Sequence, residues 1–120
     1  MRVSLVLPYW NRQDAADEAL KSISDCYPDL DLEVVVVDDG STPRFVPPDL
    51  PLDITIIRMP KKDDPKSPCI PWNVGVRQAE GDVVVLSCIE VIHTKPVIQE
   101  LIDELVSIGK NGYVLGAARS

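Results

Sequence analysis

Residues 32–42, LEVVVVDDGST, constrain the fold more than any other stretch. Val34 to Val37 are β-branched and apolar towards both faces of a pleated strand. That pattern suits a strand covered on both sides, as in the parallel sheets of α/β proteins. Such a strand sits centrally. It ends in Asp38, Asp39, Gly40, Ser41 and Thr42, a turn-forming set at its carboxyl end, and in open α/β sheets that edge is where ligands bind. An isolated Asp-Gly would read as a solvated turn capped by its own carboxylate. Two adjacent carboxylates after a fully apolar strand exceed what a turn needs and point to function.

The 120 residues fit one domain, 1–120, long enough to bury a core. A formal charge of −7 makes the surface repel phosphate backbones, and no local basic patch offsets it, which excludes nucleic acid as a partner. Cys26, Cys69 and Cys88 are an odd set without C-x-x-C spacing, against a disulfide framework or a structural zinc. A reducing, cytoplasmic compartment fits, with membrane association only through a partner. The apolar run Val3 to Leu7 is too short for a signal-peptide core, and nothing approaches the roughly 20 apolar residues of a membrane span.

Along the chain, Met1 to Pro8 reads as a buried strand stopped by its proline. Tyr9 to Arg12 form a loop, and Gln13 to Asp25 carry Ala15, Ala16, Ala19, Leu20 and Ile23 at helical spacing, with Asn11 or Asp14 as N-cap. Tyr27, Pro28 and Asp29 break that helix and lead into the central strand, a β-α-β unit whose two strands lie side by side. Pro43 to Pro51 reads as an irregular surface excursion, and Asp53 to Arg58 as a third strand. Met59 to Pro68 is a polar, mobile loop in which Lys61, Lys62 and Lys66 alternate with Asp63 and Asp64 as a solvated charged face. Pro71 to Ala79 is a short helix, Val83 to Ser87 a fourth strand buried on both faces, and Pro96 to Val106 a helix closed by Gly109. Tyr113 to Ala117 reads as a fifth strand.

With parallel strands, three loops meet at one sheet edge: Pro8 to Arg12, Asp38 to Thr42, and Cys88 to His93. Acids from two loops then face one cleft. A carboxylate there can accept an N–H of a base, and carboxylates near an imidazole can hold a divalent ion that bridges phosphates. His93 reads as structural or exposed, Cys88 as a small packing residue, and Trp10 equally as a base-stacking ring or a loop anchor.

The ordered motifs VSLVLPYWNR, VVVVDDGST and PWNVGVRQAEGDVVVL resemble the nucleotide-sugar-binding half of the inverting glycosyltransferases of family 2, over Arg2 to about Val106. The resemblance implies a Rossmann-like three-layer α/β/α architecture with a mostly parallel sheet, the GT-A type, here truncated. It implies that Pro8, Tyr9, Asn11 and Arg12 line a nucleotide pocket and that Asp39 contacts the base with Asp38 beside it. Asn73 and Gly75 match an Asn-x-Gly whose helix helps close over the diphosphate. Where that family carries a metal-binding D-x-D, this chain reads Cys88, Ile89, Glu90. Only Glu90 is left to ligate a manganese or magnesium ion, which weakens the metal. The family's acceptor half, with its general base, follows the point where this chain stops, so no catalytic residue is assigned.

The function so implied is transfer of a sugar from a nucleoside diphosphate sugar to an unknown acceptor with inversion. The alternative is a non-catalytic nucleotide-sugar binding module, or an inactive fragment lacking the acceptor half. A phospho-acceptor signalling domain of flavodoxin-like shape fares worse, because the strand after the paired acids ends in Arg58 rather than in an acid. A half domain leaves a sheet edge unpaired. Self-association, as a homo-oligomer or with a missing C-terminal segment, is therefore expected, and a sharply monomeric sedimentation profile would contradict it.

Overall fold

A computed structural model describes residues 1–60 and 67–109 of the chain. The elements follow one another as β1 (Val3–Tyr9), α1 (Gln13–Cys26), β2 (Leu32–Asp38), β3 (Asp53–Arg58), α2 (Cys69–Gln78), β4 (Val83–Leu86) and α3 (Val97–Ile108), with no helix between β2 and β3. The described strands form one sheet in the order β3-β2-β1-β4, and every pairing in it is parallel. All seven residues of β2 are buried, as its valine run requires. Each such valine side chain taken from water contributes about 1.5 kcal/mol or more.

The strands' period of two divides the core between the two faces. Leu5, Leu7, Val34 and Val36 face a layer built by Ala16, Leu20 and Ile23 of α1 and Ile98 and Ile102 of α3. On the opposite face Val6, Val35 and Val37 meet Trp72 and Val74 of α2. This is the three-layer, Rossmann-like α/β/α arrangement. Gly75 lets α2 approach the sheet, since a Cβ there would run into Val6 Cγ1 and come within 3.1 Å of Val37 Cγ2.

Three expectations need correction. The fourth strand is not buried on both faces: β4 pairs only with β1 among the described strands, and Val84 and Leu86 are 39% and 52% exposed. An apolar run marks hydrophobic side chains, but a strand at the sheet edge has a neighbour on one side only. The proline-rich segment after β2 is not merely superficial, because Phe45 is fully buried and its ring lies 4.8 Å from that of Tyr9. Phe45, with Leu50 and Leu52 packed against the same cluster, does the covering that a crossover helix would do. Neither Asn11 nor Asp14 caps α1; Arg12 holds the cap position without a side-chain cap bond, since Asn11 is engaged elsewhere. The fifth strand at Tyr113 to Ala117 and the charged residues Lys61, Lys62, Asp63, Asp64 and Lys66 lie outside the described residues.

One buried polar cluster ties the sheet together where the strands begin. The Ser4 hydroxyl donates to Glu33 Oε2 at 2.6 Å and accepts from the Gly81 N–H at 2.8 Å. The same Glu33 oxygen accepts from the Glu80 N–H at 3.0 Å, so β1, β2 and the turn into β4 share one carboxylate. These donors hold the Glu33 carboxyl below its ordinary value of 4.5, the Ser4 bond having the largest effect and burial opposing it. A depressed folded value means that this stabilisation is in force above about pH 4.5 and is lost as pH falls through the folded value. Glu33→Gln is expected to cost about 1–3 kcal/mol at neutral pH and to flatten the acid limb of the stability curve, as read by urea unfolding between pH 3 and 7.

Candidate functional site

The chain leaves β1 towards β2 but enters β4 from the far side of the sheet, so the connections diverge between β1 and β4. At such a switch point the loops beyond the carboxyl ends part and leave a crevice. Pro8 widens it. Alternate residues of a strand direct their backbone groups to the same neighbour. Val6 O accepts from the Ser87 N–H at 3.2 Å, so the N–H that Pro8 lacks would have faced β4. Pairing with β4 stops at Val6–Leu86, whereas pairing with β2 runs on to Tyr9–Asp38.

The resulting cleft has a volume of about 410 Å³. Pro8, Tyr9, Trp10 and Arg12 form one wall, Cys88, Ile89 and Glu90 the other, and Asp39 with Ser67, Pro68 and Pro71 complete it. Arg12 and Pro68, the N-cap residues of α1 and α2, and Pro71 in the first turn of α2 border the space, and helix amino termini favour anions. Cys88 is exposed and lines the cleft, which corrects its reading as a packing residue. The buried neighbour is Ile89. Partial desolvation at the cleft wall and, less strongly, the Glu90 charge push the Cys88 thiol up.

The two adjacent aspartates separate into different tasks. Asp38 is 2% exposed. Its Oδ1 accepts from the Ser41 N–H at 2.9 Å, and its Oδ2 accepts from the Phe45 N–H at 2.9 Å and from Arg58 Nη1 at 3.2 Å. Arg58 also donates to Phe45 O at 3.0 Å. Asp38 thus folds the loop, while its neighbour Asp39 donates its backbone N–H to Tyr9 O at 2.8 Å and borders the cleft. Gly40 follows at φ 82°, a left-handed conformation that suits glycine.

Asn11 locks the first wall to the second loop. It adopts φ 48°, which asparagine tolerates better than most residues. Its N–H donates to Ser41 Oγ at 3.0 Å, and its Oδ1 accepts from the Thr42 N–H at 2.9 Å. That strut fixes where the next residue, Arg12, leaves the backbone. Arg12 Nε lies 3.8 Å from Glu90 Oε1, an ion pair spanning the cleft between two side chains 64% and 52% exposed. Asn73 and Gly75 of α2 are not in the cleft wall; Asn73 is exposed on the helix and Gly75 is packed on the sheet.

The second wall is anchored from beneath. The Tyr27 hydroxyl accepts from the Ile98 N–H at 3.1 Å and meets His93 Nδ1 at 2.8 Å. The His93 N–H donates to Ser22 Oγ at 2.9 Å. Burial holds this imidazole below its ordinary range, so His93 is a neutral structural residue tying the segment after β4 to α1.

The described donors do not fit a resident divalent ion. Of Cys88, Ile89 and Glu90 only Glu90 carries a carboxylate, and it already faces a guanidinium; Cys88 supplies a sulfur where a hard cation takes oxygen, and no group of three His, Cys, Asp or Glu side chains among the described residues could hold an ion together. Sequence reasoning missed the Asn11 strut and a second cleft of about 710 Å³ bordered by Arg44, Arg58 and Thr42. Both depend on contacts between loops far apart in sequence.

Comparisons with known proteins agree with this geometry. The family model of Glycosyl transferase family 2 matches residues 4–119. Dolichol-phosphate mannosyltransferase of Pyrococcus furiosus is 31% identical over 116 residues, covering 93% of this chain and 31% of that protein. S. aureus TarS superposes with a TM-score of 0.63 at 27% identity, over 87% of this chain and 20% of that one. S. aureus TarS 1-349 in complex with UDP-GlcNAc gives 0.62 at 25% identity, over 87% and 32%. The chain therefore spans about a third or less of the length of these relatives. Among the described residues no helix is long and apolar enough to cross a membrane.

Removing the Asp38 carboxylate strips the acceptor from two backbone amides and one guanidinium at once. Asp38→Ala is expected to lower stability by about 3 kcal/mol, measured by urea unfolding.

Proposed function

The chain belongs to glycosyltransferase family 2, and on that premise we propose that its cleft binds a nucleoside diphosphate sugar as the donor part of a glycosyltransferase. The observation that carries this reading is the convergence of Asp39, of Arg12 at the N-cap of α1 and of the amino-terminal turn of α2 on one crevice at the switch point. Asp39 is a hydrogen-bond acceptor for the N–H of a base. The helix termini and Arg12 suit the diphosphate, and Tyr9 and Trp10 offer apolar ring surface between them. Pro8 shapes the cleft, Asn11 and Asp38 hold the loops that present Arg12 and Asp39, and Gly75 seats α2. Asn73, outside the cleft wall, stands as a contact of the donor only if α2 shifts on binding.

In the proposed reaction an acceptor hydroxyl oxygen forms a bond to the anomeric carbon. The bond from that carbon to the diphosphate oxygen breaks, and its electron pair leaves on the diphosphate. Attack from the opposite face inverts the anomeric centre. The hydroxyl proton passes to a base that no residue of this chain is assigned to supply. Positive groups near the departing oxygens lower the barrier by stabilising charge as it develops. Three free thiols, Cys26, Cys69 and Cys88, support a reducing, cytoplasmic setting. The second reading, a non-catalytic nucleotide-sugar binding module, is favoured by one observation, the thiol of Cys88 at a position where the family carries a carboxylate.

Calorimetric titration of UDP and GDP into the purified protein tests the donor site. One nucleotide is expected to bind, and Asp39→Ala to weaken it by about tenfold or more, the loss of one buried hydrogen bond to a base. Failure of both nucleotides to bind the folded protein would overturn the reading.

A further inference from the structure

The Arg12–Glu90 pair spans the mouth of the cleft from two loops 78 residues apart in the chain. Arg12 comes from the wall after β1 and Glu90 from the wall after β4. Glu90 is also the one acid at the positions where the family places a metal-binding pair. We infer that Arg12 takes the role of that cation: on donor binding its guanidinium exchanges Glu90 for the diphosphate, so that donor binding needs no divalent ion. This inference rests on the donor site proposed above.

Four features lead to it. The donor set is wrong for magnesium or manganese, which require several oxygen ligands, because Cys88 replaces one acid and no three candidate ligands converge among the described residues. The remaining acid is already compensated by Arg12. A metal binding at Glu90 would therefore have to displace a guanidinium held nearby, and would then sit beside it.

The pair is also weak enough to trade. At 3.8 Å between two well-exposed side chains it is a screened surface contact. A diphosphate offers more charge and a geometry that the planar guanidinium can grip with two parallel bonds. Finally, Arg12 is held in position. The reciprocal bonds of Asn11 with Ser41 and Thr42 fix the backbone just before it, and Arg12 O accepts the Ala16 N–H at 2.9 Å in the first turn of α1. The side chain can swing between partners without the backbone moving. Glu90, released, would face the same solvent-filled mouth and lose only a weak partner. In this arrangement it acts as a placeholder that keeps Arg12 aimed across the empty cleft.

The test is calorimetric titration of UDP and GDP into wild-type protein, Arg12→Gln, Arg12→Lys and Glu90→Gln, each in EDTA and in manganese, with circular dichroism to confirm folding. Wild-type affinity in EDTA is expected to lie within about threefold of that in manganese. Arg12→Gln should weaken binding by about tenfold or more in both conditions, with partial recovery in Arg12→Lys, which restores charge without the fork. Glu90→Gln should leave binding intact or tighten it by about twofold to fivefold. Binding seen only with manganese and abolished in Glu90→Gln would overturn the inference while leaving the donor site standing. Metal-independent binding that Arg12→Gln does not change would overturn it as well. No binding by wild-type protein in either condition would remove the donor site and the inference together.

Discussion

The buried carboxylate of Asp38 is the interaction on which the site depends. A charge at 2% exposure is tolerated only when its oxygens are fully engaged, and the chain meets that demand with Ser41, Phe45 and Arg58. Satisfying one ion therefore dictates the path of residues 39–45. Phe45 is drawn down onto Tyr9 and closes the core, Gly40 turns the backbone, and Asp39 is left at the border of the cleft. The same turn puts Ser41 and Thr42 within reach of Asn11, which in turn orients Arg12. A structural charge below the surface thus sets the positions of the charges that border the cleft above it.

The two walls of the cleft are stabilised by different means. The wall after β1 is fixed by polar bonds between loops, through Asn11. The wall after β4 hangs from the interior by way of His93, Tyr27 and the first turn of α3. Both routes end on α1 or its start, so this helix couples the walls. The exposed Arg12–Glu90 pair connects them across the opening. The rigid contacts lie underneath, and the contact at the mouth is the weakest, which is the order a cleft that admits a ligand needs.

Much of the scaffold was legible in the sequence because burial leaves a periodic trace. The run Val34 to Val37 announced a strand covered on both faces, the spacing of Ala16, Ala19, Leu20 and Ile23 announced one face of a helix, and Asp53 to Arg58 matched its strand residue for residue. The Asp-Asp-Gly-Ser turn lies at the carboxyl end of β2, where Asp39 borders the cleft. What the sequence concealed was non-local. Val83 to Leu86 is as apolar as the central strand, and nothing in its side chains says that it lies at the margin of the described sheet. Phe45 sits among prolines, where no periodicity exposes its burial. Asp38 and Asp39 are chemically identical, and only the pleat, which points neighbours in opposite directions, separates the structural acid from the one at the cleft. The pairing of Arg12 with Glu90 depends on bringing together the ends of β1 and β4.

Pro8 carries a consequence of its own. By omitting a single backbone donor it ends the β1–β4 ladder while β1 continues beside β2, so the opening between the strands is a property of the main chain. Side chains around the rim then carry no responsibility for keeping the cleft open. Substitutions at rim positions such as Cys88 can alter the chemistry of the cleft without risk of sealing it. A scaffold of this kind separates the existence of a binding site from its chemistry, and that separation lets one architecture accept many different ligands by changing a few residues at its edge.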